Sequence, residues 1–108
     1  MSGLSTHVLD SVSGTPAVGI RVSLFHDGDG EIATAATDAD GRVPELLPGP
    51  LDPGTYRLSF DTGSYFEVHG TATFYPEVSI SFTVTDPGAH YHVPLLLSPF
   101  AYSTYRGS

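Results

Sequence analysis

Alternation of apolar and polar residues is the strongest signal in this chain. In VSISFTVT, Val78, Ile80, Phe82 and Val84 alternate with Ser79, Ser81, Thr83 and Thr85, the pattern of a half-buried antiparallel strand. VGIRVSLF repeats it, with Val18, Ile20, Val22 and Leu24 expected inward and Arg21 and Ser23 outward. GTYRLSFD places Tyr56, Leu58 and Phe60 on one face. EIATAATD reads as a weaker strand of small residues, LSTHVLD as a short first strand and HYHVPLLLS as a late one.

Turn chemistry separates these runs. HDGDGE holds two Asp-Gly pairs, a hairpin signal between the second and third strands. DADGR is a further Asp-Gly turn, and LLPGPLDPG a Pro/Gly loop expected to exclude regular structure. Only TGSYFEVHG looks helical: Ser64 and Glu67 have capping-box spacing, and Gly70 ends the run. Such a helix spans about two turns. Seven or so short strands with one short helix imply an all-β sandwich.

Composition narrows the setting. A chain of 108 residues forms one domain, 1–108, without internal repeat or linker, and 40% hydrophobic content excludes disorder. No apolar run reaches the length of a membrane span. MSGLSTHVLD lacks the basic and apolar regions of a secretory signal. With no cysteine there is no disulfide framework and no thiolate chemistry, which fits a cytoplasmic protein. Twelve acids face four bases, all arginine, for a net charge of -8. That balance argues against nucleic acid or an anionic membrane as partner. An anionic substrate would need a local cluster drawn from the arginines and histidines.

Candidate chemistry is sparse. His90 and His92 share one face of their strand, with Tyr91 opposite. His-x-His suits a metal, given a third ligand, or general acid/base work near neutral pH; as a bare spacing it also fits two half-exposed strand histidines. His7 is out of phase with Leu4, Thr6 and Val8 and is expected to face away from the core. Arg42, after the Asp40-Gly41 turn, offers a planar fork of donors for flat acceptors; an ordinary solvated turn residue is the plainer reading. Arg21 and Arg57 read as structural. The acids Asp27, Asp29, Glu31, Asp38 and Asp40 do not complete a calcium loop and read as turn residues. There is no G-x-S-x-G, P-loop or G-x-G-x-x-G motif.

Taken in order, LSTHVLD at the start, the DGR turn, TGSYF, FYPEV, HYHVPLLLSP and the final YSTYRGS resemble the 5-hydroxyisourate hydrolases. These are transthyretin-related enzymes of urate (purine) breakdown. The resemblance spans residues 4 to 108, and the final Tyr105-Arg106-Gly107-Ser108 is its most specific element.

The resemblance implies a transthyretin-like β-sandwich of two four-stranded sheets with one short helix. It implies a homotetramer, a dimer of dimers, whose sites lie where dimers meet, so that the tail folds into a shared pocket. Carried over residue by residue, it implies His7, Arg42, His92 and Ser108 as catalytic residues. Arg42, Tyr105 and Arg106 are then expected to bind substrate, with His90 auxiliary and neither metal nor cofactor. The implied reaction is hydrolysis of 5-hydroxyisourate to 2-oxo-4-hydroxy-4-carboxy-5-ureidoimidazoline, by histidine-activated water. Three other readings compete: a carrier of a small aromatic ligand on the same fold, a metal hydrolase using His7, His90 and His92, and a non-catalytic adhesion domain.

Overall fold

The computed structural model describes residues 3–107. The chain runs β1 (Gly3–Asp10), β2 (Thr15–Pro16), β3 (Arg21–His26), β4 (Glu31–Ala36), β5 (Arg42–Leu47), β6 (Gly54–Phe60), α1 (Thr62–Val68), β7 (Val78–Val84), β8 (His90–Ser98) and β9 (Ala101–Thr104). One sheet has the order β4-β3-β6-β7. In the other, β1 and β8 are central and parallel, with β9 outside β8. The far edge of β1 is shared by two strands: β5 pairs with the stretch from Leu4 to His7, and the two-residue β2 pairs with Leu9 and Asp10. The second sheet is thus four positions wide with five strands, and the architecture is a two-sheet β-sandwich with one short helix.

The alternating residues build the core. Leu4 and Val8 of β1, Val22 and Leu24 of β3, Leu58 and Phe60 of β6, Val78 and Val84 of β7, and Leu95 and Leu97 of β8 are buried between the sheets. Burying each such side chain favours the fold by about 1.5–3 kcal/mol. Ile20 is buried as expected, but Val18 is 52% exposed. The strand begins only at Arg21, and the turn around Gly19, at φ +82, breaks the alternation before it.

Two further local expectations are corrected. α1 is capped one turn earlier than the Ser64–Glu67 spacing suggests: the Asp61 carboxylate accepts from the Ser64 amide, at 3.2 Å, and from its hydroxyl. Asp61 is the better cap because its short side chain reaches the otherwise unpaired amides of the first turn. The Pro/Gly segment does not exclude regular structure, since Leu46 and Leu47 close β5. Pro44 is tolerated inside β5 because that strand pairs only with β1 and is an edge, where a missing N–H costs no ladder bond.

Behind β1, Asp10 is buried and accepts from the Tyr65 hydroxyl at 2.9 Å and from the Val12 and Ser13 amides. This one carboxylate ties the helix and the β1–β2 turn together. Burial works to raise its pKa, but the Tyr65 hydrogen bond and the two amides outweigh it and hold the carboxyl below its ordinary range. Burial, with the Asp10 carboxylate beside it, pushes the Tyr65 phenol up to about 12. No helix among the described residues is long and apolar enough to cross a membrane.

Candidate functional site

Strand alternation decides which side chains leave the core. On β1, Leu4, Thr6 and Val8 are wholly buried, so Ser5 and His7 face outward. On β8, Tyr91, Val93 and Leu95 are buried and His90 and His92 face outward. The register joins these two faces: Ser5 stands beside His92, and Gly3 beside His90. From the inner side the Thr6 hydroxyl donates to the Val93 carbonyl at 2.6 Å, locking the same strand pair.

Arg42 arrives from the other edge of β1. The Asp38 carboxylate accepts from the Asp40 and Arg42 amides, while the Gly41 amide donates to the Asp38 carbonyl. The Val8 amide donates to the Gly41 carbonyl at 2.8 Å, so the turn presses onto β1. Gly41 has φ +74, and a Cβ there would lie 2.5 Å from the Val8 carbonyl oxygen. Only glycine satisfies both demands. The turn sets Arg42 directly opposite His7 across the β1–β5 pair.

Ser5, Thr6, Arg42, Pro44, His90 and His92 line a hollow of about 270 Å³ on this outer face. The Ser5 Oγ lies 2.8 Å from His90 Nε2 and 2.8 Å from His92 Nδ1. His7 stands beside the hollow, and its Nε2–H donates to the Asp40 carbonyl at 3.0 Å. A carbonyl only accepts, so Nε2 carries the proton and Nδ1 is the basic nitrogen of neutral His7. His92 is held below the usual histidine pKa, first by burial and then by the charges of Arg42, His7 and His90. It is therefore a neutral imidazole near pH 7. Among the described residues no group of three or more His, Cys, Asp or Glu side chains could hold a metal ion.

The tail returns to the same histidine. β9 runs antiparallel to β8, and the Thr104 hydroxyl donates to the Pro94 carbonyl at 2.6 Å. Beyond it the Gly107 amide donates to the His92 carbonyl at 2.8 Å. A Cβ on Gly107 would run into the His92 ring, so a glycine is needed for this approach. The Arg106 guanidinium lies 4.8 Å over the Tyr91 ring. Tyr105 and Arg106 line a second, mainly apolar cavity of about 300 Å³ with Ile80, Phe82, Tyr91 and Val93. His92 lines both cavities.

Of the residues singled out from sequence, Arg42, His90 and His92 thus share one hollow and His7 adjoins it. Tyr105 and Arg106 flank the second cavity, on the other side of His92. Ser108 lies outside the described residues. Ser5 was not foreseen. Its signal was present, since it shares the outward phase of His7 in LSTH, but its contact with β8 is set by strand pairing across 85 and 87 residues.

The HIUase/Transthyretin family model matches residues 4–107. A Mus musculus protein named 5-hydroxyisourate hydrolase is 48% identical over 113 residues, covering 99% of this chain and 96% of its own. The solved 5-hydroxyisourate hydrolase of Klebsiella pneumoniae superposes with a TM-score of 0.90 at 41% identity, over 99% of this chain and 100% of that one. Transthyretin from Sparus aurata superposes with a TM-score of 0.91 at 34% identity, over 99% and 97%.

Proposed function

The chain belongs to the HIUase/Transthyretin family, and we propose that it is an enzyme that hydrolyses 5-hydroxyisourate to 2-oxo-4-hydroxy-4-carboxy-5-ureidoimidazoline in urate degradation. The hydrolase and transthyretin neighbours share this fold, so the fold alone does not choose between enzyme and carrier. The observation that favours hydrolysis is the hollow in which Arg42 and the depressed-pKa His92 meet, with His7 at its rim.

Each group has a chemical task. Neutral His92 accepts a proton from water as its oxygen attacks the ring amide carbonyl carbon. Arg42 binds the flat substrate through paired acceptors and stabilises the oxyanion as charge develops. The C–N bond of the six-membered ring then breaks, leaving a carboxylate, and the departing nitrogen takes a proton from an imidazolium. His7, one strand away, is the second histidine of this acid–base pair. General acid–base help of this kind is worth roughly 10²–10⁴-fold. Ser108, Tyr105 and Arg106 complete the proposed site as the catalytic and substrate-binding part of the tail. The hollow is open on the outer sheet face of a single chain, which fits closure by a second copy in a homotetramer; sedimentation measures that. The cysteine-free composition fits a cytoplasmic setting.

The test is the ultraviolet decay of 5-hydroxyisourate, generated by uricase from urate, with and without the protein. Acceleration that persists in chelator is expected. Acceleration lost in chelator and restored by zinc would transfer the chemistry to a metal on the His-x-His strand. No acceleration by the folded protein would favour a ligand carrier.

A further inference from the structure

We propose that Ser5 and His90 are positioning residues that act through His92: Ser5 is a one-proton relay that sets the His92 tautomer and passes its Nδ1 proton to His90. This rests on the hydrolytic reading above. Ser5 Oγ is 2.8 Å from both His92 Nδ1 and His90 Nε2, and Ser5 is itself buried in the strand pair. A serine hydroxyl has one hydrogen, so it can donate to only one of the two rings. The other ring nitrogen must be the donor.

This constraint links the two tautomers. When His92 Nδ1–H donates to Ser5 and Ser5 donates to His90 Nε2, the His92 Nε2 carries a lone pair and is the base. The opposite order puts the proton on His92 Nε2 and removes the base. When His92 Nε2 takes the proton of water, its Nδ1 proton moves to Ser5 Oγ, and the Ser5 proton moves to His90 Nε2. Three bonds to hydrogen form and three break, and the positive charge leaves His92 for His90. The reverse shift returns the proton to His92 once the ring has opened. The charged and titratable groups that bear on His92 are Arg42 on β5, His7 on β1 and His90 on β8, and Arg106 on the tail lines the second cavity beside it.

The spacing explains why a serine serves here. A hydroxyl on β1 sits level with His92 and within reach of His90 because the parallel register places Ser5 beside His92 and Gly3, without a side chain, beside His90. A longer residue at position 5 would fill the hollow.

The experiment compares Ser5→Ala, His90→Asn, the double variant and His92→Asn, by kcat and KM across pH 5–9 on the full chain, with histidine tautomers read by long-range ¹H–¹⁵N NMR. The relay predicts that Ser5→Ala lowers kcat by about 10–100-fold, the scale known for removing a partner that orients a metal-bound histidine, with KM within about twofold. The acid limb of the pH profile moves, His92 becomes a mixture of tautomers, and the double variant is no slower than the worse single one. Independent losses that multiply, or an Ser5→Ala enzyme with wild-type kcat and tautomer, overturn the relay. Should Ser5→Ala fold poorly, His90→Asn reports alone: an unchanged acid limb and His92 tautomer overturn the relay. If His92→Asn itself keeps full activity, the hydrolytic site assignment fails rather than the relay alone.

Discussion

The two outer faces of this sandwich are built by the same alternation and have different chemistry. On the β3–β6–β7 sheet the outward positions are mostly serine and threonine, and their polar groups are engaged locally. Ser59 donates to Glu77 at 2.8 Å, and Arg57 stacks 4.2 Å over Phe25. On the β1–β5–β8 face the outward positions hold Ser5, His7, Arg42, His90 and His92, from three strands far apart in sequence. The first face pairs antiparallel strands only; the second has the parallel β1–β8 pair at its centre. Parallel pairing brings outward residues near the start of the chain level with those near its end. Such convergence is what makes this polar face a site: it leaves His92 partly buried beside Arg42, His7 and His90.

The largest expected effect tests that contrast directly. His92→Asn or Arg42→Ala should lower kcat/KM by about 10²–10⁴-fold, while far-ultraviolet circular dichroism stays as in the wild type. Arg57→Ala, the arginine of the other face, should leave turnover unchanged. Near wild-type rates in both site variants would erase the distinction between the faces.

Next comes the turn that delivers Arg42. Gly41→Ala forces a positive-φ conformation on alanine and drives its Cβ into the Val8 carbonyl, a cost of about 1–3 kcal/mol in stability. Because the turn must move, activity should fall as well, with KM rising as Arg42 loses its place. Denaturation and steady-state kinetics on the same sample check both.

Tyr65→Phe removes the hydroxyl that donates to the buried Asp10 carboxylate and should cost about 1.5–3 kcal/mol, with kcat unaffected. The Asp10 pKa lies below its ordinary value when folded, so the unfolded state binds the proton more readily. The stabilisation is present above roughly pH 4 and is lost as pH falls through the folded pKa. Urea melts at pH 7 and pH 3 should therefore differ less in Tyr65→Phe than in wild type. For His92, also depressed in the fold, the full contribution is present above about pH 6.5 and declines below it. The acid limb of kcat/KM should accordingly lie below about 6.5. The smallest effect is expected from the Arg57–Phe25 stack, about 0.5–1 kcal/mol in Arg57→Ala, read as a small shift in melting temperature.

Much of this was legible in one dimension. Alternation in LSTHVLD placed Leu4, Thr6 and Val8 inside and His7 outside, and in HYHVPLLLS it set His90 and His92 on one face with Tyr91 on the other; the burial follows both patterns. The Asp-Gly turns marked the β3–β4 hairpin and the approach to Arg42. Elsewhere local signals misled. Pro44 and the following Pro/Gly run masked β5, whose pairing with β1 supplies what its propensity lacks. Asp61, rather than Ser64, capped the helix because the chain leaving β6 turns there.

By itself, then, the sequence determined which side of β1, β3, β6 and β7 is buried, since a period of two leaves no freedom once one face is apolar. It also determined where glycine lets the chain turn. Only the tertiary structure decided which outward residues meet. Ser5 bridging two histidines, Gly107 against His92 and Arg42 opposite His7 all depend on register between strands distant in the chain. Register is set by the packing of the whole sandwich, because a slip of one residue would turn every buried side chain outward.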